Sequence, residues 1–258
     1  MRLWGCLLAL ASVAAGCHAQ PTMYADVART PPELPPKAMA RRLMAAQPDW
    51  PRRVPHTNCK RTKCVALTFD DGPGDYTARL LDILAAHQVK ATFFVVGQMV
   101  AADRGVNVRR ILDEGHELGN HSWSHAQLTG LSSGGIHYEL EHTQDLVEHL
   151  TGVRMRVMRP PYGSTDGRVA TETKHEGLAQ ILWNVDTLDW RDRVASIISK
   201  RASHAKPGSI VLMHDIHKTT VDAVPSLLKS LAGKGYTFVT VSELYGKPPA
   251  PGRKYSER

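Results

Sequence analysis

The chain has 258 residues, 42% of them hydrophobic and 22% charged, with 20 glycines, which excludes disordered, collagen-like and coiled-coil chains. Its 32 Lys and Arg against 25 Asp and Glu give a formal charge of +7, which suits attraction to anionic cell walls or acidic polysaccharides, or simply solubility. Nucleic acid is not an expected partner, because only 6% of residues are aromatic and no Lys/Arg block is interleaved with them.

In chain order, Met1-Arg2, the apolar run Leu3 to Ala15 and the small residues before Cys17 have the basic, apolar and small-residue regions of a secretory signal. The run is too short to span a bilayer. Residues 1–19 therefore predict an exported protein, extracellular or held on the outer face of the membrane, with two processing routes open. Cleavage before Cys17 would leave a lipid-bearing cysteine, the one membrane contact expected; cleavage after Ala19 would release the protein. Residues 18–57 hold eight of the 16 prolines, a density that disfavours helix and sheet interiors, so 20–57 reads as a tether. Export permits disulfides, and Cys59 and Cys64 are expected to pair across a small loop that contributes about 2 kcal/mol. A zinc knuckle would need another cysteine pair nearby, which the sequence lacks.

Residues 58–245 read as the folded domain, expected as a monomer, and residues 246–258, with three prolines and four Lys or Arg, as a loose basic tail. Seven short apolar runs predict strands: Val65 to Phe69, Ala91 to Val96, Glu117 to Gly119, Arg156 to Met158, Gln180 to Val185, Ser209 to Met213 and Thr237 to Val241. Thr77 to His87 and Ile136 to Leu150 carry apolar residues at helical spacing. Strand-helix alternation of this kind is an α/β pattern with a parallel sheet, open or closed into a barrel.

Chemistry-bearing residues follow these strands: Asp70-Asp71-Gly72-Pro73, His121 and His125, Arg159, Asp186 and Asp189, then His214-Asp215. In a barrel they would gather at one mouth, where barrel enzymes keep their sites. Two adjacent acids at a strand end point different ways and can serve two roles, one toward a metal and one toward protons; a plain turn is the alternative. His121-Ser122-Trp123-Ser124-His125 puts two imidazoles at i and i+4, adjacent on a helical turn and able to bind one ion, and two His with one carboxylate suit zinc or another divalent ion. His56, His87, His116, His137, His142, His149, His175 and His204 have no such context and are expected on the surface or in helices. No Gly-x-Ser-x-Gly, GxGxxG or Walker sequence occurs, which argues against a serine esterase, a dinucleotide site and a P-loop.

Thr68-Phe69-Asp70-Asp71-Gly72-Pro73, His121 to His125, Arg159-Pro160-Pro161-Tyr162-Gly163, Asp186-Thr187-Leu188-Asp189-Trp190 and Leu212-Met213-His214 together resemble the five signature motifs of the NodB-homology polysaccharide deacetylases, carbohydrate esterase family four, over roughly residues 64–245. The resemblance implies a distorted (β/α)7-type barrel of parallel strands. It implies a divalent cofactor, Zn2+ first and Co2+ as an alternative, held by Asp71, His121 and His125. Asp70 would be the base, oriented by Arg159, and His214 the acid, tuned by Asp189. The Tyr162 backbone N–H would face the oxyanion, with Trp190 and Leu212 as walls around the acetyl methyl. The implied substrate is N-acetylglucosamine in peptidoglycan or chitin-type oligomers. Acetylxylan O-deacetylation and a non-catalytic wall-binding role are the alternatives, the last disfavoured because binding alone requires neither Asp70 nor His214.

Overall fold

Seven consecutive buried residues form β1 (Cys64–Asp70), as expected of a parallel strand covered on both faces. The computed structural model describes residues 57–258; the expected signal, Cys17 and the tether up to residue 56 lie outside the described residues. After β1 come α1 (Thr77–Ala86), β2 (Thr92–Val95), α2 (Gly97–Asp103), α3 (Val106–Asp113), β3 (Glu117–Asn120), α4 (Ser133–Thr151), β4 (Val157–Met158), α5 (Gly167–His175) and β5 (Ala179–Ile181). The chain continues through β6 (Val185–Asp186), α6 (Asp189–Asp192), α7 (Ala195–Ala202), β7 (Ile210–His214), α8 (Lys218–Gly233), β8 (Thr237–Val239), α9 (Val241–Tyr245) and β9 (Lys254–Tyr255).

The named strands pair in parallel in the order β6-β7-β1-β2-β3-β4-β5-β9, and β8 lies along the first half of β1. The result is the distorted barrel that the sequence motifs imply. Its two halves meet within one stretch of chain. Gln180 to Val185, read from sequence as one strand, is two: the Leu182 N–H donates to Tyr255 O at 2.7 Å, whereas the Asn184 N–H donates to Ile210 O at 3.3 Å. The backbone changes partners across Trp183, and that change ends β5 and starts β6.

Strand periodicity then sorts the side chains. Ala66, Phe94, Val157, Ile181, Ile210 and Val239 pack inside the sheet's curve, where Val241 and Leu244 of α9 join them. Leu67, Phe69, Phe93, Leu118, Met158, Val211 and Met213 face outward against Leu80, Leu84, Leu140 and Leu227 of the helices. Alternation along β1 places Thr68 and Asp70 on the inner face with Ala66, and along β7 it places Leu212 and His214 there with Ile210. A Cβ on Gly119, between β2 and β4, would collide with the Phe94 ring, so the inner face tolerates nothing larger there.

Two expectations at the ends of the domain are resolved. Cys59 and Cys64 form a disulfide with Cα atoms 5.4 Å apart. The segment read as a loose tail is docked instead: Lys254 pairs with Gln180 and Tyr255 with Ile181, Glu257 bridges Ser209, and the Arg258 N–H donates to Gly208 O at 3.0 Å. It runs from β5 to the turn before β7 and covers the seam between the two ends of the barrel. Proline and charge counts missed it because the attraction is the otherwise unpaired edge of β5.

Removing residues 247–258 should therefore destabilise the domain by about 2–3 kcal/mol, the scale of uncovering one aromatic side chain such as Tyr255, which packs on Tyr245 with ring centroids 5.0 Å apart. Urea unfolding of the truncated and full chains measures this, and coincident midpoints would show that the seam does not need the segment.

Candidate active site at the barrel mouth

Parallel strands deliver their last residues to one end, and here that end is polar. Asp70 closes β1 and lies in register with His214, the last residue of β7. His121 follows β3 and Arg159 follows β4, with the Arg159 N–H bonded to Asn120 O at 2.9 Å.

Arg159 is fully buried. Its Nη1 donates to Asp70 Oδ1 at 2.7 Å and to Thr68 Oγ1 at 2.8 Å, Nε donates to Ile181 O at 3.0 Å, and Nη2 to Leu182 O at 3.1 Å. Its carbon Cζ sits 4.3 Å from the Phe94 ring centroid. Burial pulls the guanidinium below its usual range, against the charge and hydrogen bond of Asp70.

Beside this pair, Asp71 Oδ1 lies 3.4 Å from His121 Nε2 and 3.3 Å from His125 Nε2. That oxygen is buried and has no hydrogen-bond partner, and the three ligand atoms all lie within 4.8 Å of one another. A buried carboxylate oxygen faced by two imidazole nitrogens fits a divalent cation. His121 Nδ1 is 2.6 Å from Arg159 O, an acceptor only, so Nδ1 carries the proton and Nε2 presents its lone pair. Burial, then the neighbouring His121, pushes His125 down to about 4, which keeps it neutral and able to ligate. Burial opposes ionisation of Asp71, but the surrounding imidazoles, His121 first and then His214 and His125, hold it well below the usual carboxylate range.

The two histidines do not share a helical turn. Residues 121–127 form a loop in which Ser122 (φ 66°) and His125 (φ 58°) take left-handed conformations, and Asp71 (φ 73°) does the same across the site. Left-handed non-glycine residues persist where surrounding contacts over-determine them. Those contacts come from Asn120, Glu139 and Asp215, of which the sequence singled out only Asp215. Asn120 Oδ1 accepts from Ser122 N at 2.8 Å while its Nδ2 donates to Leu140 O at 2.9 Å. Buried Glu139 on α4 accepts from Ser124 N at 2.8 Å and Ser124 Oγ at 2.7 Å, gripping the loop between its two histidines. On the other side Thr77 donates to buried Asp215, and a Cβ on Gly72 would collide with that carboxylate. Burial pushes Asp215 up to about 7.

His214 Nδ1 pairs with Asp189 Oδ1 at 2.8 Å, leaving Nε2 as its remaining ring position. Asp189 Oδ2 accepts from His214 N and Thr220 Oγ1, both at 2.7 Å. Burial alone would lower His214, but the Asp189 bond and charge, with Asp71 and Asp70, raise it to about 9. Asp189 itself is fully buried and held low by these same donors against its burial. At the rim, Tyr162 is 69% and Trp190 48% exposed. Tyr162 is left-handed (φ 61°), stacks edge-on against His125, and among the described residues donates its N–H to no backbone carbonyl. Leu212 is buried on the inner face two residues before His214.

All ten residues singled out thus sit at or beside one mouth. His116 departs from expectation: it is buried in the turn before β3, accepts the Ala91 N–H at 3.1 Å, and is pushed down to about 3 by burial. Glu139 and Thr220 carried no sequence signal, because each lies on a helix whose apolar pattern says nothing of a polar partner elsewhere in the chain.

A family model described as polysaccharide deacetylase matches residues 57–181. The chain is 46% identical over 209 residues to the Listeria monocytogenes peptidoglycan-N-acetylglucosamine deacetylase PgdA, covering 80% of this chain and 44% of that one. It is 36% identical over 256 residues to a Bacillus cereus peptidoglycan-N-acetylglucosamine deacetylase, covering 92% and 90%. A solved structure described as T48 deacetylase with substrate superposes with a TM-score of 0.74 at 43% identity, covering 78% of this chain and all of that one. The chain spans less than half the length of the Listeria protein.

Two substitutions probe the site without a substrate. Arg159→Met strands the buried Asp70 and should cost about 3–5 kcal/mol in urea unfolding. Glu139→Gln should leave stability nearly intact yet weaken zinc binding about 10- to 100-fold by calorimetric titration; unchanged affinity would show that the loop holds its shape without the grip.

Proposed function

Because the chain belongs to the polysaccharide deacetylase family, we propose that it is an exported, metal-dependent hydrolase that removes N-acetyl groups from N-acetylglucosamine units of peptidoglycan. One observation carries this reading: an orphaned Asp71 oxygen faced by two imidazoles lies between an Arg-paired acid and an Asp-paired histidine. The names of the Listeria and Bacillus relatives support peptidoglycan as the polymer ahead of chitin-type oligomers. The signal-like residues 1–19 support export, with Cys17 as the anchor if it is acylated. Since Lys254, Tyr255 and Glu257 pair with β5 and Ser209, the catalytic unit includes these residues.

In this mechanism Asp71, His121 and His125 hold a divalent ion, with zinc best suited to the two-histidine, one-carboxylate set and cobalt an alternative. Lewis acidity is what such an ion supplies when bound, through a polarised acetamide carbonyl and a more acidic water. Asp70, fixed by Arg159 at 2.7 Å, takes a proton from the attacking water. The Tyr162 N–H donates to the carbonyl oxygen as negative charge gathers there. His214 gives its proton to the sugar nitrogen as the C–N bond breaks, so an amine and acetate leave. Asp189 keeps that imidazole protonated and its ring oriented. Trp190 and Leu212 wall the acetyl methyl.

Acetate release from peptidoglycan, chitooligosaccharides and acetylxylan, with chelation and re-addition of zinc or cobalt, tests the reading. Chelation should abolish activity and metal restore it; faster turnover of acetylxylan would replace the amide by an ester. Asp70→Asn should keep its metal yet lose about 10²- to 10⁴-fold in turnover, whereas Asp71→Asn should lose metal by elemental analysis. Equal metal loss in the two variants would overturn the division of roles.

The pH profile gives a further check. An acid catalyst works only while protonated, so activity should fall as pH rises through the raised value of His214, about 9. Asp189→Asn removes the charge that raises it and leaves burial to lower it, so the alkaline limb should move to lower pH by more than a unit. A limb that stays in place would remove His214 as the acid.

A further inference from the structure

At the opposite end of the barrel, where the strands begin, the exposed cations include Lys60, Arg61 and Lys63 before β1, Lys206 in the turn before β7, Lys234 in the turn before β8, Lys247 after α9, and Arg258. They form one surface. Lys63 Nζ reaches Lys234 O at 3.4 Å; the Arg258 N–H bonds Gly208, whose turn begins at Lys206; and Lys60, Lys247 and Arg258 line one groove. Among the described residues none of these cations is in an ion pair; of the exposed cations elsewhere, Arg79, Arg154 and Lys218 are paired, whereas Arg104, Arg109, Arg156 and Lys200 are not, so what marks this end is the clustering of the cations. Of the acids beside these cations, Glu243 accepts the Thr240 N–H at 2.8 Å as a helix cap, and Glu257 accepts from Asn184 at 2.7 Å.

We propose that this face docks on an anionic lipid surface, the phosphate headgroups of a membrane, so that the active-site mouth points away from it. Charge complementarity is the first argument: cations whose neighbours are at most backbone carbonyls gain, beside a phosphate surface, an attraction between opposite charges that no carboxylate here supplies. Distribution is the second. The cations stand on turns belonging to three separate strands and the closing segment, spread over the end of the barrel rather than aligned along a channel, which suits a plane better than a single polymer chain. Aromatic surface is the third. A glycan-binding face would expose rings for the sugars, and among the described residues the exposed rings, Tyr162 and Trp190, belong to the mouth, with Tyr138 on α4, while Tyr245 in the groove is half-buried. The docking requires no catalysis, so it stands or falls separately from the proposed activity.

The test is cosedimentation of the processed protein, carrying Cys17→Ser so that no acyl chain contributes, with phosphatidylglycerol-containing and pure phosphatidylcholine vesicles. Binding should favour the phosphatidylglycerol vesicles and weaken steeply as salt rises. Lys63→Glu/Lys247→Glu should reduce it ~20-fold or more, at about fivefold per cation removed, and Lys63→Gln/Lys247→Gln should reduce it in the same direction with little change to the surface. Arg79→Glu/Arg104→Glu, matched in charge but placed elsewhere, should retain most of the binding. Acetate release from soluble substrate should be the same in all of these variants. Equal binding by the wild type and both Lys63/Lys247 variants, or an equal loss in the Arg79/Arg104 control, would overturn the proposal. Binding to soluble poly(glycerol phosphate) with none to vesicles would assign the face to an anionic wall polymer and overturn it as well.

Discussion

The barrel mouth is organised around one buried ion pair, Arg159 with Asp70. A guanidinium without water is costly unless its donors find acceptors, and four of the five Arg159 N–H groups find them on two strands, β1 and β5, and on the chain leaving β5. Meeting that requirement fixes how β1, β4 and the β5–β6 junction approach one another. It also fixes the tautomer of His121, because the carbonyl of Arg159 itself accepts from Nδ1. One residue therefore ties the acid on β1 to the metal-ligating loop after β3. Removing it would disturb structure and site together.

Around that pair the same side-chain type is driven in opposite directions. His125 and His214 are both largely buried, and burial disfavours the imidazolium in each. What separates them is the partner. His214 bonds the fully buried carboxylate of Asp189, whose other oxygen is held by Thr220, whereas His125 faces another histidine. One imidazole is therefore kept charged and the other neutral within a single pocket, which suits proton donation at one side and ligation at the other.

Strain is concentrated in the same place. Asp71, Ser122, His125 and Tyr162 all hold left-handed backbone without being glycine, and each sits where a side chain or N–H must turn into the mouth. The compensating contacts come from ordinary elements: Glu139 on α4, Asn120 at the end of β3, and Asp215 after β7. A rigid scaffold thus sets the conformation of loops whose own sequence would not choose it.

The sequence by itself determined the alternation of strands and helices, the disulfide pair, and the identity of the residues at the mouth. The first two are written in local signals, apolar periodicity and cysteine spacing; at the mouth, polar motifs directly after apolar runs marked the acids, histidines and Arg159, whereas Tyr162, Trp190 and Leu212 came only from the resemblance of the motifs to a known family. Only the tertiary structure decided how the chain between Gln180 and Val185 divides, that residues 121–127 form a loop and not a helical turn, and that the C-terminal residues close the barrel. The reason is common to all three: their hydrogen-bond partners, Tyr255 and Ile210 for the first, Glu139 and Leu140 for the second, Gln180 and Ser209 for the third, lie far away in sequence or on other elements. A pattern of neighbours along the chain encodes propensity and burial, but not which distant backbone edge remains open to accept a strand.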